Sequence, residues 1–219
     1  ILQNRLGIDV VFEPTEKWQK IGKCGNLLDS FYQSPKRWAY TFQSYVIISR
    51  IQEHFARAEQ NLKNKVSVLE RSVYGDCLCF AKNCFETKLM NNLEWKIYQE
   101  LFKLLIEKYI KTPRGFIYLK ADPNVCYQRI LQRGRKEEKL LSIDYLDSLN
   151  KRHDDWLIYK KNGFIESIKQ VPVLVLDCNQ EFEENLNIQN SLLELTSNFL
   201  SQILHSKTSE IKISTTTSF

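Results

Sequence analysis

Apolar residues recur along this chain in two rhythms, short continuous runs and stripes at three- and four-residue steps, and their alternation predicts the elements. Ile8-Asp-Val-Val-Phe12, Lys65-Val-Ser-Val-Leu69, Gly115-Phe-Ile-Tyr-Leu-Lys120 and Val171-Pro-Val-Leu-Val-Leu176 read as buried strands. Between them the spacing is helical. Ile1 to Leu6 reads as a helix end closed by Gly7. A polar, glycine-containing loop after Glu13-Pro14 leads to Ser34-Pro35, a cap followed by proline at the first helical position. From there to about Leu62, Trp38, Phe42, Tyr45, Ile48, Ile51 and Phe55 mark a long helix. Two more helices are expected at about 73–85 and 91–110. Asp122-Pro123 opens another, which runs to Arg133-Gly134 and is followed by a charged stretch, Arg135 to Lys139. Ser142 to Lys160 is helical through Ile143, Leu146, Leu149 and Trp156, and about Glu183 to Leu204 forms the final helix. Ser206 to Phe219 is rich in Ser and Thr and is expected to be a disordered tail, which leaves residues 1–205 as one domain.

Short apolar strands alternating with helices call for an α/β fold, a parallel sheet covered on both faces. In such folds the site lies beyond the carboxyl ends of the strands. Glu13, Glu70-Arg71-Ser72, Lys120-Ala-Asp122 and Asp177 all follow strands, so the chemistry is expected along one edge.

Composition narrows the function. The 219 residues are 43% hydrophobic and 26% charged, a globular balance, and no apolar run approaches a membrane span. A net charge of +5 suits an enzyme of anionic substrates as well as a nucleic-acid binder. The six cysteines show no metal spacing and read as reduced, mostly buried thiols of an intracellular protein. The chain starts at Ile1 without a methionine, so a presequence would be invisible, and no signal peptide is present in these residues. The seven glycines stand at 7, 22, 25, 75, 115, 134 and 163. No two are five apart, which excludes the phosphate-cradling G-x-x-x-x-G-K-[ST] loop, and the same positions exclude G-x-G-x-x-G.

Three constellations can carry chemistry. Gln43, Val46 and Arg50 share a face of the long helix, among aromatic residues where a glutamine and an arginine are costly to bury unpaired. Either the stripe broadens into solvent there or Gln43 serves a pocket as a two-pronged hydrogen-bond partner. Arg129, Arg133 and Arg135 crowd a helix end beside Gly134. Planar guanidinium forks suit phosphoryl oxygens, and a solvated face paired with Glu137 and Glu138 is the plainer alternative. Glu13 and Glu70 follow two different strands, where they divide into a proton acceptor and a metal ligand or are simply surface caps. His54, His153 and His205 are isolated and read as structural or exposed.

Together these residues resemble the deoxyribonucleoside kinase family, specifically its deoxycytidine/deoxyguanosine/deoxyadenosine branch, from the chain start to about Leu204. The resemblance is carried by Phe12-Glu-Pro-Thr-Glu-Lys-Trp18, Trp38-Ala-Tyr-Thr-Phe-Gln-Ser-Tyr45, Glu70-Arg-Ser-Val-Tyr-Gly-Asp76 and Asn92-Leu-Glu-Trp-Lys-Ile-Tyr98. It continues in Tyr118-Leu-Lys-Ala-Asp-Pro123 and Arg129-Ile-Leu-Gln-Arg-Gly-Arg-Lys-Glu-Glu138. It implies a phosphate-loop kinase fold and phosphoryl transfer from ATP or another nucleoside triphosphate to the 5′-hydroxyl of a deoxynucleoside, in nucleotide salvage. By resemblance, Glu13 is the base, Arg71 stabilises charge near the transferred group, and Glu70 helps hold Mg2+. Arg129, Arg133 and Arg135 belong to a lid over the phosphates, while Tyr32 and Glu138 hold the sugar 3′-hydroxyl. Gln43 reads the base edge, and Trp18, Phe42 and Phe80 enclose the ring. The loop Asp177-Cys-Asn179-Gln-Glu-Phe182 resembles the segment bordering the donor's base. A homodimer through the helices at 35–62 and 73–85 is expected, in the cytoplasm, with a mitochondrial location left open. Neither a membrane nor a nucleic-acid partner is expected, because the arginines cluster at one lid rather than in a stripe.

Arg50 and Asp76 form the branch-specific pair, with Val46 between them bulkier than the alanine associated with deoxycytidine kinases. Both charged members are present, which favours deoxycytidine or a deoxypurine over thymidine. The departure from the family is at the front, where it has a strand and a phosphate loop that these residues lack. That strand lies mid-sheet in the family's five, so an open seam is expected here. Two readings follow: part of a working deoxynucleoside kinase, or a truncated, inactive nucleoside- or partner-binding homologue. The full set Glu13, Arg71 and the arginines favours the first.

Overall fold

A computed structural model describes residues 1–59, 66–161 and 163–210. The chain opens with α1 (Leu2–Leu6), β1 (Asp9–Val11), α2 (Thr15–Gln19), α3 (Leu27–Gln33) and α4 (Pro35–Glu59). β2 (Ser67–Leu69) precedes α5 (Val73–Gly75), a π-helical turn (Asp76–Ala81) and α6 (Lys82–Glu86), which run as one continuous rod. α7 (Asn92–Tyr109), β3 (Phe116–Lys120), α8 (Pro123–Arg133) and a 3₁₀ turn (Lys136–Leu140) follow. The last part holds α9 (Ile143–His153), a second π turn (Asp154–Ile158), a 3₁₀ turn (Glu166–Ile168), β4 (Val173–Asp177) and α10 (Leu186–Glu210).

Local chemistry accounts for the boundaries. Asn91 and Glu94 form a reciprocal capping box on α7. Asp122 caps α8 ahead of Pro123, and Gly134 ends it at φ 65°, a conformation that favours glycine. Gly115 is demanded by packing, since a Cβ there would lie 2.7 Å from Phe199 of α10. The segment read as a loop between Glu13 and Ser34 instead holds α2 and α3. Asn26 caps α3, and Leu27, Leu28 and Phe31 form one buried face of it, a stripe too short for periodicity to reveal. The end of the long helix beyond residue 59, Lys65 of the expected second strand, and residues 211–219 of the expected tail lie outside the described residues. α10 reaches Glu210, past the expected domain end at 205.

Among the described residues the strands form two separate parallel pairs, β1–β2 and β3–β4, rather than one sheet. Val10 stands opposite Val68 in the first, and Tyr118 opposite Val175 in the second. The core lies on the helical side of the strands. Ala39, Ile47, Cys77, Cys79, Ala81 and Tyr98 are its most enclosed members, so the 73–86 rod is interior rather than an available dimer face. Among the described residues no helix is long and apolar enough to cross a membrane.

Candidate active site

The register of β1 on β2 fixes the site. Val11 pairs with Leu69, and the Glu70 amide extends the ladder by donating to the Val11 carbonyl at 2.7 Å. Both chains then leave their strands side by side, which brings Glu13 next to Glu70 and Arg71. The Glu13 amide donates to Glu70 Oε2 at 3.2 Å. Arg71 holds φ 59°, in the left-handed region that non-glycine residues seldom adopt. That turn sends its guanidinium to Glu13 Oε1 at 3.1 Å and over the Phe80 ring at 4.9 Å.

Arg50 reaches the same place from α4. Its Nη2 lies 2.5 Å from Glu13 Oε1, its Nε 2.5 Å from Asp76 Oδ2, and its Nη1 donates to the Glu70 carbonyl at 3.1 Å. One guanidinium thus joins a strand end, a helix and the π turn. Glu13 and Asp76 are 7% and 3% exposed, so the charges are mutually necessary. Burial pushes the Asp76 carboxyl up to about 6; Arg50 opposes that rise, and Glu13 adds to it. The π turn contributes both Asp76 and Phe80, an irregularity of the kind that concentrates at functional sites.

An aromatic wall adjoins these charges. Phe42 stacks on Phe31 at 4.8 Å and meets Trp18 edge-on at 5.7 Å. Trp18 donates Nε1–H to Ser49 at 2.8 Å, which ties α2 to α4. Val46 is buried beside them, and Gln43 is buried with no hydrogen-bond partner for its Oε1. An unsatisfied amide oxygen costs roughly 1–3 kcal/mol, which a hydrogen-bonding ligand would recover. Phe31 and Ser49 went unnamed in the sequence, since a lone serine on a helix and an aromatic in an unrecognised short helix give no signal. His153 is structural: it stacks on Tyr118 at 5.9 Å, meets Phe80 edge-on at 6.0 Å, and burial lowers its pKa.

The arginine segment divides in two. Arg133 and Arg135 converge on Glu138, at 2.6 and 3.0 Å, and burial followed by the Glu138 charge pushes the Tyr32 phenol up to about 12. Arg129 does not join them. It donates to the Gln180 carbonyl at 3.0 Å and lies over Phe182 at 5.3 Å. Glu137, a partner of the arginines only in the plainer alternative of a solvated face, accepts from Gln19 and Asn26. Beyond β3 and β4, Asn179 bridges two turns, with its amide groups on Asp177 and its Oδ1 accepting the Asp122 amide at 2.7 Å.

Among the described residues no cluster of three or more His, Cys, Asp or Glu could hold a metal unaided. Mg2+ commonly takes one or two carboxylates and completes its shell with substrate phosphates and water. The exposed Glu70 carboxylate beside Arg71 fits that use.

Comparison with known proteins gives the family. The family model for deoxynucleoside kinase matches residues 1–201. Deoxycytidine kinase 1 of Xenopus laevis is 37% identical, over 89% of this chain and 81% of the relative. Deoxycytidine kinase of Homo sapiens is 38% identical, over 88% and 74%. The mitochondrial deoxyguanosine kinase of Xenopus laevis is 38% identical, over 79% and 72%. The family model over residues 1–201 and these relatives show that the chain belongs to the deoxynucleoside kinase family, kinases that act on a nucleoside and a nucleotide.

Proposed function

We propose that this chain forms the acceptor site of a deoxynucleoside kinase that passes the γ-phosphoryl group of ATP, or another nucleoside triphosphate, to a deoxynucleoside 5′-hydroxyl in salvage. The observation that carries this reading is Glu13. Its Oε1 is held by both Arg50 and Arg71, which leaves Oε2 to receive the hydroxyl proton while Arg71 faces the charge that develops on the transferred group. Glu70 would hold Mg2+, which when bound with the donor neutralises phosphate charge. Arg129, Arg133 and Arg135 answer the donor phosphates, and Asp177, Asn179 and Phe182 border its base. Tyr32, protonated at neutral pH, and Glu138 receive the sugar 3′-hydroxyl. Trp18, Phe42 and Phe80 flank the base, and Gln43 offers it an unpaired oxygen. The Arg50–Asp76 pair favours deoxycytidine or a deoxypurine, with buried Val46 limiting the space at its edge.

A cytoplasmic homodimer completes the proposal. Exposed apolar residues Ile48 and Phe55 on α4, and Leu93, Ile97 and Leu104 on α7, support a partner face on these helices. The test is labelled-phosphate transfer from Mg-ATP to deoxycytidine, deoxyguanosine and thymidine. Glu13→Gln is expected to lower transfer by about 10²-fold or more with nucleoside affinity retained. Near-normal turnover in that variant removes Glu13 as the base.

A further inference from the structure

Glu137 has no place among the roles assigned above, yet it makes the longest-range polar contacts of the arginine segment. Its Oε1 accepts from Gln19 Nε2 at 2.9 Å and from Asn26 Nδ2 at 2.8 Å, across 118 and 111 residues of sequence. Gln19 closes α2, next to Trp18. Asn26 uses its other side-chain atom, Oδ1, to accept the Asp29 amide at 2.8 Å and so caps α3, the helix of Phe31 and Tyr32. The adjacent residue, Glu138, holds Arg133 and Arg135. Two neighbouring carboxylates on one 3₁₀ turn therefore serve opposite sides: one collects the arginines, and the other grips the two helices that build the aromatic wall.

Hydrogen bonds to a carboxylate are stronger than those between neutral groups. Burial pushes the Glu137 carboxyl up, but the Asn26 and Gln19 donors, with Arg135 nearby, bring it below the usual range, so it is charged at neutral pH. We propose that Glu137 is a positioning residue for phosphoryl transfer. It clasps the arginine segment to α2 and α3, so that Glu138 and its two arginines are set against Tyr32 and the aromatic wall as one unit. This rests on the deoxynucleoside reading of the acceptor site. A nucleoside held against α2 and α3 is thereby coupled to the arginines that meet the donor.

Two measurements test it, one of which needs no ligand. Trypsin cleaves after Arg133, Arg135, Lys136 and Lys139, all within or beside the clasped segment. Glu137→Ala is expected to speed cleavage there about tenfold and to weaken deoxycytidine binding by a similar factor, as the loss of charge-assisted bonds predicts. Glu137→Gln is expected to restore both in part, because its amide oxygen accepts the same two N–H groups without the charge. Asn26→Ser keeps a capping oxygen but removes the Nδ2 donor. It should give part of the effect alone and add nothing in the Glu137→Ala background. Unchanged cleavage in Glu137→Ala, or failure of glutamine to rescue it, overturns the clasp. Faster cleavage with unchanged nucleoside affinity overturns the positioning role. A wild type that binds no deoxynucleoside but shows the expected cleavage pattern overturns the nucleoside reading and leaves the clasp standing.

Discussion

The two strand pairs end in loops of opposite construction. Beyond β1 and β2, charge is buried and shared: Glu13, Arg50 and Asp76 come from separate segments and pair with one another, and the half-exposed Arg71 joins them at Glu13. Beyond β3 and β4, the contacts are exposed to solvent and are made largely by side chains to backbone groups. Asp177 holds the amide of Asn179 two residues on, Asp122 holds that of Asn124, and Arg129 rests on a loop carbonyl and a ring. The first end is held together because Arg50 cannot leave without stranding two buried carboxylates. The second can exchange its partners for a ligand at little cost. On the proposed reading, that suits an acceptor that must be held in line and a nucleotide that must come and go.

The sharpest test of this contrast is Arg50→Ala, which leaves Glu13 and Asp76 buried without their shared cation. A loss of about 3–5 kcal/mol is expected by urea unfolding. Replacing the set together should be milder: Arg50→Met with Asp76→Ala is expected to regain much of that loss. On the proposed reading the double variant also shifts base preference toward thymidine in competition assays. If the double variant is no more stable than Arg50→Ala, the charges are not interdependent and the first end loses its explanation.

Asp76 offers a smaller effect with a definite sign. Burial pushes its carboxyl up to about 6 in the folded protein, whereas an unfolded aspartate ionises near 4, about its ordinary value. Between those values the folded state keeps a proton that the unfolded state has released. Stability contributed by this group therefore falls as pH rises from about 4 to 6 and levels off above that range. Asp76→Asn should flatten that part of the stability profile. An undiminished slope in the variant would assign it to other carboxylates.

The same contrast explains what could be read without coordinates. The strand ends, the caps at Asp122 and Ser34-Pro35 and the long helix were legible because each signal is confined to a few adjacent residues. Glu13, Arg50, Glu70, Arg71 and Asp76 were each named from the sequence pattern and the family resemblance. That one guanidinium would serve two of the carboxylates was not legible, because it depends on the strand register and the π turn. Spacing and the family resemblance group Arg129 with Arg133 and Arg135, but Gly134 turns the chain so that Arg135 joins Arg133 at Glu138, while Arg129, one turn earlier on α8, reaches the Gln180 loop. α2 and α3 were missed since their apolar faces span scarcely two turns. The sequence offers Glu137 only as a possible partner of the adjacent arginines, because its true partners, Gln19 and Asn26, lie more than a hundred residues away.

The smallest expected change comes from the looser end and is therefore the strictest check. Arg129→Ala removes one hydrogen bond to the Gln180 carbonyl and one cation–ring contact with Phe182. Both are solvent-accessible, so the expected loss of stability is about 1 kcal/mol. Its consequence for ATP affinity should be larger than for folding, because the guanidinium that now rests on a carbonyl is the one proposed to meet phosphate oxygens. Unfolding of the variant with and without Mg-ATP separates the two effects: a smaller ligand-induced gain than in wild type, on a nearly unchanged baseline, is the expected pattern. A baseline loss as large as that of Arg50→Ala would show that this end is built of interdependent charge as well, and the division between an interdependent acceptor side and an exchangeable donor side would fail.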